Sequence, residues 1–252
     1  MCLILFAYQT HPVYPLMIAA NRDEFYKRPT ASAHFWEDYP EILAGRDLEK
    51  MGTWMGVTKS GRLAALTNYR DPKENAFGKH SRGEIVKNAL TYNGPMVEFM
   101  ESLQEKHSSY PGYNLLAGSI HELYYYSNRG KKLEILKPGI HGVSNHLLNT
   151  PWPKVAEGKK GLSKLMDSHP PELIEHLFIL LQKAEPFPDD YLPQTGVSLE
   201  WERTLSPLFI KSEGYGTRSS TVILFSRKNI EFIERTFTEE KMSEQSFIVP
   251  LP

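Results

Sequence analysis

Cys2 is the only cysteine in the chain and follows the initiator methionine, at the head of the apolar run CLILFAY. Removal of Met1 would leave a thiol and a free α-amine on one residue. The amine titrates near ~8 and the thiol near ~8.5, so the amine can take the thiol proton near neutral pH, directly or through water, without a histidine. One residue would then supply nucleophile and base. The competing reading of Cys2 alone is a small apolar side chain in a buried strand.

In AANRDEF, residues 19–25, the polar residues Asn21, Arg22, Asp23 and Glu24 come straight after an apolar segment. If CLILFAY and YPLMIAA pair as a hairpin across QTHPV, these four lie near the N-terminus. There a carboxylate would hold the α-amine and a guanidinium would favour thiolate; surface ion pairs at a strand end are the alternative. Asn68 in LAALTNY and Asn145 in HGVSNHLLNTPW follow short apolar or β-branched runs. A side-chain amide fixed there could donate to the oxyanion formed when a thiolate attacks an acyl carbon, or each could be a turn residue. In GYGTRSST, residues 214–221, Arg218 precedes the strand TVILF. It could anchor a carboxylate, lower the thiol pKa, or be solvated charge at a strand edge.

The nine histidines show no metal-ligand spacing, and one cysteine cannot complete a zinc set, so no metal is expected. Neither a Walker loop nor a dinucleotide-binding fingerprint is present, so no nucleotide cofactor is expected. His34, before Phe35 and Trp36, could in principle ligate haem, although a surface or hydrogen-bonded histidine is the plainer expectation.

These residues need a scaffold of strands. TWMGVT and RLAALTN flank a turn at KSGR, as a second hairpin would. Two helices are expected between residues 81 and 106, with Ser81 as N-cap and Glu84 at the capping-box position. Strand signals return in YNLLAGS, ELYYYSN and KLEILKPG. Helices follow over 153–167 and 171–184, then a loop over 185–199 and a last hairpin around Arg227 to Asn229. Cys2 to Tyr8 and Leu16 to Ala20 are almost continuously apolar, which predicts strands covered on both faces. The pattern is that of a layered α+β architecture.

With 252 residues, 40% of them hydrophobic and 23% charged, one domain over residues 1–252 is the leading expectation. A net charge of -1 gives no general attraction to nucleic acid or an anionic membrane, so a small molecule is the expected partner. The N-terminal apolar run is too short for a membrane span or a signal peptide. A single cysteine excludes an intramolecular disulfide and fits the cytoplasm. Composition leaves the oligomeric state open.

Seven ordered blocks carry a resemblance: MC at the start, AANRDEFYKRP, GTWMGVTKSGRLAALTNYRDP, RGE at 82–84, YNLL at 113–116, GVSN with TPWPK at 142–154, and GYGTRSSTVIL. Together they resemble the NRDE protein family, also called the Transport and Golgi organization 2 family. That family is regarded as related to the cysteine N-terminal nucleophile hydrolases, which include bile salt hydrolases and penicillin acylases. The resemblance implies a four-layer αββα sandwich with Cys2 as nucleophile, Asp23 beside the α-amine, Asn68 and Asn145 as oxyanion donors, and Arg218 as the guanidinium of the site. Asn21, Arg22 and Glu24 belong to the motif with no implied role. Those hydrolases carry an arginine about three positions before the aspartate. Here that position is Ala20, so Arg22 would have to substitute from a strand position expected to face the other way. Two functions are implied. One is an amidohydrolase that cleaves a linear C–N amide of a small acyl-amide substrate without a cofactor, which requires a mature N-terminus at Cys2. The other is a non-catalytic haem or lipid/acyl-CoA binding and trafficking protein, whose ligand binding would survive Cys2→Ala.

Overall fold

The structure, a computed structural model, describes residues 2–74, 79–168, 170–238 and 241–252, without the side chains of Pro170 and Pro171. In chain order come strands β1 (Cys2–Tyr8), β2 (Leu16–Phe25), β3 (Thr30–Phe35), β4 (Ile42–Asp47), β5 (Met55–Thr58) and β6 (Leu63–Asn68), then helices α1 (Arg82–Thr91) and α2 (Met96–Glu105). Strands β7 (Tyr113–Gly118), β8 (Leu123–Ser127), β9 (Leu133–Ile135) and β10 (Gly139–Val143) follow, with helices α3 (Pro153–Lys164), α4 (Pro170–Leu181) and α5 (Leu199–Thr204). The last strands are β11 (Tyr215–Phe225), β12 (Asn229–Phe237) and β13 (Met242–Pro250).

All strand pairs are antiparallel, in two sheets ordered β10-β1-β2-β11-β12-β13 and β3-β4-β5-β6-β7-β8-β9. Side chains alternate across each strand. In β1, Ile4, Phe6 and Tyr8 pack between the sheets, whereas Leu3, Leu5 and Ala7 pack against Val155 of α3 and Leu177 of α4. In β6, Leu63 and Ala65 face inward, and Ala64 and Leu66 face Ile85 of α1 and Met100 of α2. Each central strand is therefore apolar on both faces, which is why its sequence reads as an unbroken apolar run. The layers are helices, sheet, sheet, helices: the expected α+β sandwich of αββα order. Each fully buried large apolar side chain contributes roughly 1.5–3 kcal/mol by transfer from water.

Several local expectations are corrected. β2 runs on through the NRDE segment, because β11 keeps pairing with it as far as Phe25 opposite Tyr215. Strands β3, β4 and β13, and helix α5, were not anticipated. Ser81 does cap α1, but its side chain makes no capping bond. Glu84 instead accepts the Tyr110 hydroxyl at 2.7 Å, so no capping box forms. The helix expected from residue 171 begins at Pro170; His169, just before it, lies outside the described residues. Among the described residues no helix is long and apolar enough to cross a membrane.

Candidate active site

Where the ends of β1, β2 and β11 meet β3, β4, β6 and the start of α1, the two sheets part around a cavity of about 460 Å³. Cys2, Asp23, Asn68 and Arg218 line it, as do Arg22 and Glu24 of the motif. Cys2 and Arg22 are directly opposed in the β1–β2 ladder, and opposed residues share a face. The guanidinium expected to face away therefore lies on the same face as the thiol: Ala20 and Arg22 are two residues apart and point the same way. Asp23 is one step past that pair, beside the N-terminal side of Cys2. Met1 lies outside the described residues.

Cys2 is 7% exposed, and burial pushes its thiol pKa up, assisted by the Asp23 charge; Arg22 and the Asp23 backbone N–H pull it down. Asp23 is buried as well. Its Oδ1 accepts the Thr217 hydroxyl at 2.7 Å, and burial raises its pKa against the opposing influence of Lys154, Thr217 and Arg22.

Lys154, near the start of α3, is 1% exposed and donates to Leu205 O at 2.9 Å. Burial lowers its pKa from 10.5 to about 8, while Asp23 acts to raise it. Beside it Arg70 and Glu202 form an ion pair at 2.6 Å, with side chains 6% and 4% exposed, and Arg70 stacks over Trp152 at 4.7 Å. Burial pushes the Tyr215 hydroxyl pKa upward, with Asp23 the next contributor. The sequence reading missed Lys154, Arg70 and Glu202. Lys154 and Arg70 stand inside the TPWPK and NYRDP blocks, but nothing local marks them as partners of a residue near the N-terminus.

The remaining candidates divide by what holds them. Asn68 ends β6, lines the cavity, and makes no side-chain hydrogen bond among the described residues. Asn145 is fully buried behind the wall: Nδ2 donates to Asn68 O at 2.9 Å, and Oδ1 is 3.1 Å from Ser144 Oγ, itself 3.0 Å from Cys2 O. Asn145 thus ties the Asn68 backbone to the Cys2 strand. Arg218 occupies a β-bulge, and its guanidinium donates to the carbonyls of Phe25, Tyr26 and Arg28 at 3.0, 2.9 and 3.1 Å, clipping the turn that follows β2. Asn21 is bound to Leu181 O at 2.9 Å and Leu208 O at 2.7 Å, and is a packing residue. Glu24 stands 3.8 Å from Arg22 and 4.0 Å from Arg28. His34 is off the cavity wall, with Nδ1 2.8 Å from Ser32 O.

Two stacked antiparallel sheets between helical layers, with a cysteine opening an inner strand at a cavity, place the chain in the fold class of the N-terminal nucleophile hydrolases. The fold matches a crystal structure of the C2A mutant of conjugated bile acid hydrolase from Clostridium perfringens, with a TM-score of 0.51 and 9% identity over 98% of this chain and 92% of that one. It also matches the Caenorhabditis elegans ortholog of N-acylethanolamine-hydrolyzing acid amidase, again with a TM-score of 0.51 and 9% identity, over 88% of this chain and 92% of that one. The chain belongs to the Transport and Golgi organisation 2 family, whose model matches residues 1–239. The Transport and Golgi organization protein 2 homolog of Bos taurus is 34% identical over 96% of this chain and 93% of its own length.

Proposed function

We propose that residues 1–252 form one domain, a cysteine N-terminal nucleophile amidohydrolase cleaving a linear C–N amide bond of a small acyl-amide substrate. The observation that carries this reading is the placement of Cys2: it opens β1 onto the cavity, Arg22 lies directly opposite, Asp23 is beside its N-terminal side, and the Asn68 side chain shares the cavity wall. With Met1 removed, the α-amine of Cys2 takes the thiol proton and the sulfur attacks the acyl carbon. The carbonyl electron pair moves onto oxygen, where Asn68 donates a hydrogen bond. As the C=O re-forms, the C–N bond breaks and the α-ammonium gives its proton to the leaving amine. Water, deprotonated by the same amine, then hydrolyses the thioester.

In this reading Asp23 holds the α-ammonium, Lys154 opposes the burial that raises the Asp23 pKa, and Asn145 and Arg218 position the walls. No cofactor takes part. The two structural neighbours are hydrolases by name, and one carries a substitution of its own cysteine at position 2. Given a single cysteine, we place the activity in the cytoplasm. Intact-protein mass spectrometry before and after a thiol-reactive acyl electrophile tests the proposal. Loss of Met1 with one rapid acylation at neutral pH, absent from Cys2→Ser, is expected. Retained Met1 or an inert Cys2 would overturn it in favour of a binding protein for haem or an acyl ligand.

A further inference from the structure

We propose that the cavity binds a ligand through an anionic group, a carboxylate or a phosphate, seated between Arg22, Arg82 and the first backbone amides of α1. Seven arginine and lysine side chains line the cavity against four carboxylates, in a chain whose net charge is -1. Most of these cations are already engaged. Arg28 pairs with Asp47 at 2.7 Å, Arg46 with Asp38 at 2.6 Å and Lys79 with Glu74 at 3.1 Å, while Arg218 is spent on carbonyls.

Lys50 is an exposed side chain, and two of the more buried cations are not engaged in this way. Arg22 is 13% exposed, makes no side-chain hydrogen bond among the described residues, and has Glu24 only at 3.8 Å. Arg82 donates to the Gly112 carbonyl at 3.1 Å and has no carboxylate within ion-pair distance among the described residues. Burial lowers its pKa, and Cys2 is among the groups whose charge it senses.

A backbone contact brings Arg82 to this place. A Cβ on Gly52 would fall 2.6 Å from the carbonyl carbon of Gly83, and Thr53 N–H donates to Gly83 O at 3.3 Å. The first turn of α1 therefore docks directly on the loop after β4, with Ser81, Arg82 and Gly83 all on the cavity wall. The Ser81 side chain makes no capping bond, which leaves the first-turn amides without a side-chain acceptor at the positive end of the helix dipole. This gives the GTW and RGE blocks a joint role.

The inference rests on the proposed hydrolase only in placing the acyl carbon of the ligand at Cys2, and the test separates the two. Alkylation of Cys2 by iodoacetate and by iodoacetamide is the same displacement of iodide by thiolate, so a change in thiol pKa cancels from the ratio of the two rates. Relative to N-acetylcysteine, that ratio is expected to be about tenfold higher for the protein, and to fall towards the reference in Arg22→Gln and Arg82→Gln. A ratio equal to the reference, or unchanged in both variants, would overturn the anion seat. If Cys2 reacts with neither reagent, the hydrolase reading fails by itself, and the seat is read in Cys2→Ala from the Tm shift with inorganic phosphate or acetate. A rise that disappears when Arg22→Gln and Arg82→Gln are added supports it, and the larger of the two shifts names the anion. The absence of any shift, or one that persists in those variants, overturns it.

Discussion

Lys154→Met isolates the charge buried behind Cys2. Burial brings the ammonium from 10.5 to about 8, a depression of roughly two and a half units, or about 3 kcal/mol at ~1.36 kcal/mol per unit. In the unfolded chain the amine holds its proton up to pH 10.5, whereas in the folded chain it releases it from about pH 8. Between those values the unfolded state binds more protons, so stability rises with pH. Below the window both states are charged and the folded state carries the whole burial penalty; above it both are neutral and the penalty is gone. Methionine keeps most of the volume without the charge, so subtracting the variant cancels groups that titrate alike in both proteins. In urea unfolding, the stability of wild type minus that of Lys154→Met is expected to climb by about 2.5 kcal/mol from pH 7 to pH 10. Because Asp23 loses its strongest opposing charge in the variant, Asp23→Asn is measured with and without Lys154→Met to remove that contribution. A difference flat to within ~0.5 kcal/mol across this range would refute the buried-ammonium reading.

Asn68→Ala is expected to slow acylation of Cys2 by an amide or ester reporter about 10²- to 10³-fold while leaving alkylation by iodoacetamide unchanged, because alkylation develops no oxyanion. Asn145→Ala should instead cost roughly 1–3 kcal/mol in urea unfolding, since the Asn68 carbonyl loses its partner. Glu202→Gln removes the carboxylate that pairs with Arg70 at 2.6 Å in a buried site and should cost about 3–5 kcal/mol in urea unfolding. Gly52→Ala sets a methyl against backbone and should cost roughly 1–3 kcal/mol, with iodoacetate labelling slowed more than iodoacetamide labelling.

The fold was legible where burial is two-sided. An apolar run such as CLILFAY announces a strand between two layers, and turn signals at QTHPV and KSGR mark its hairpins. Strands with one weak face gave no such signal. β3 reads TASAHF and is half-buried along most of its length, and β13 is exposed at seven of nine positions, so neither shows an apolar stripe. The site was legible as composition and illegible as direction. That Arg22 points the same way as Ala20 follows from strand alternation alone, but whether it stands opposite Cys2 depends on the register of the β1–β2 hairpin, which the geometry of the turn sets and residue types leave open. Partnerships across the chain were beyond local reading altogether: Arg70 and Glu202 are 132 residues apart, and only the packed fold brings them together.

Strand alternation explains why the NRDE segment can serve two environments. Asn21 and Asp23 turn towards the helical layer, where Ser220 Oγ meets Asn21 Oδ1 at 2.6 Å and Thr217 Oγ1 meets Asp23 Oδ1 at 2.7 Å. Arg22 and Glu24 turn into the cavity. Behind the strand, burial raises the Asp23 pKa, and the buried Lys154 ammonium is the leading charge that opposes that rise. In front, the Arg22 guanidinium makes no side-chain hydrogen bond among the described residues and meets Glu24 only at 3.8 Å, and Ser219, not another cation, stands opposite it in the ladder. The bulge in β11 secures this. It drops Arg218 out of the ladder between Thr217, which pairs with Asp23, and Ser219, which pairs with Arg22. Without the extra residue, Arg218 would face Arg22 across the strands, a like-charge pair that destabilises a sheet. With it, Arg218 folds over the turn after β2 and binds backbone carbonyls, leaving Arg22 as the guanidinium beside the thiol.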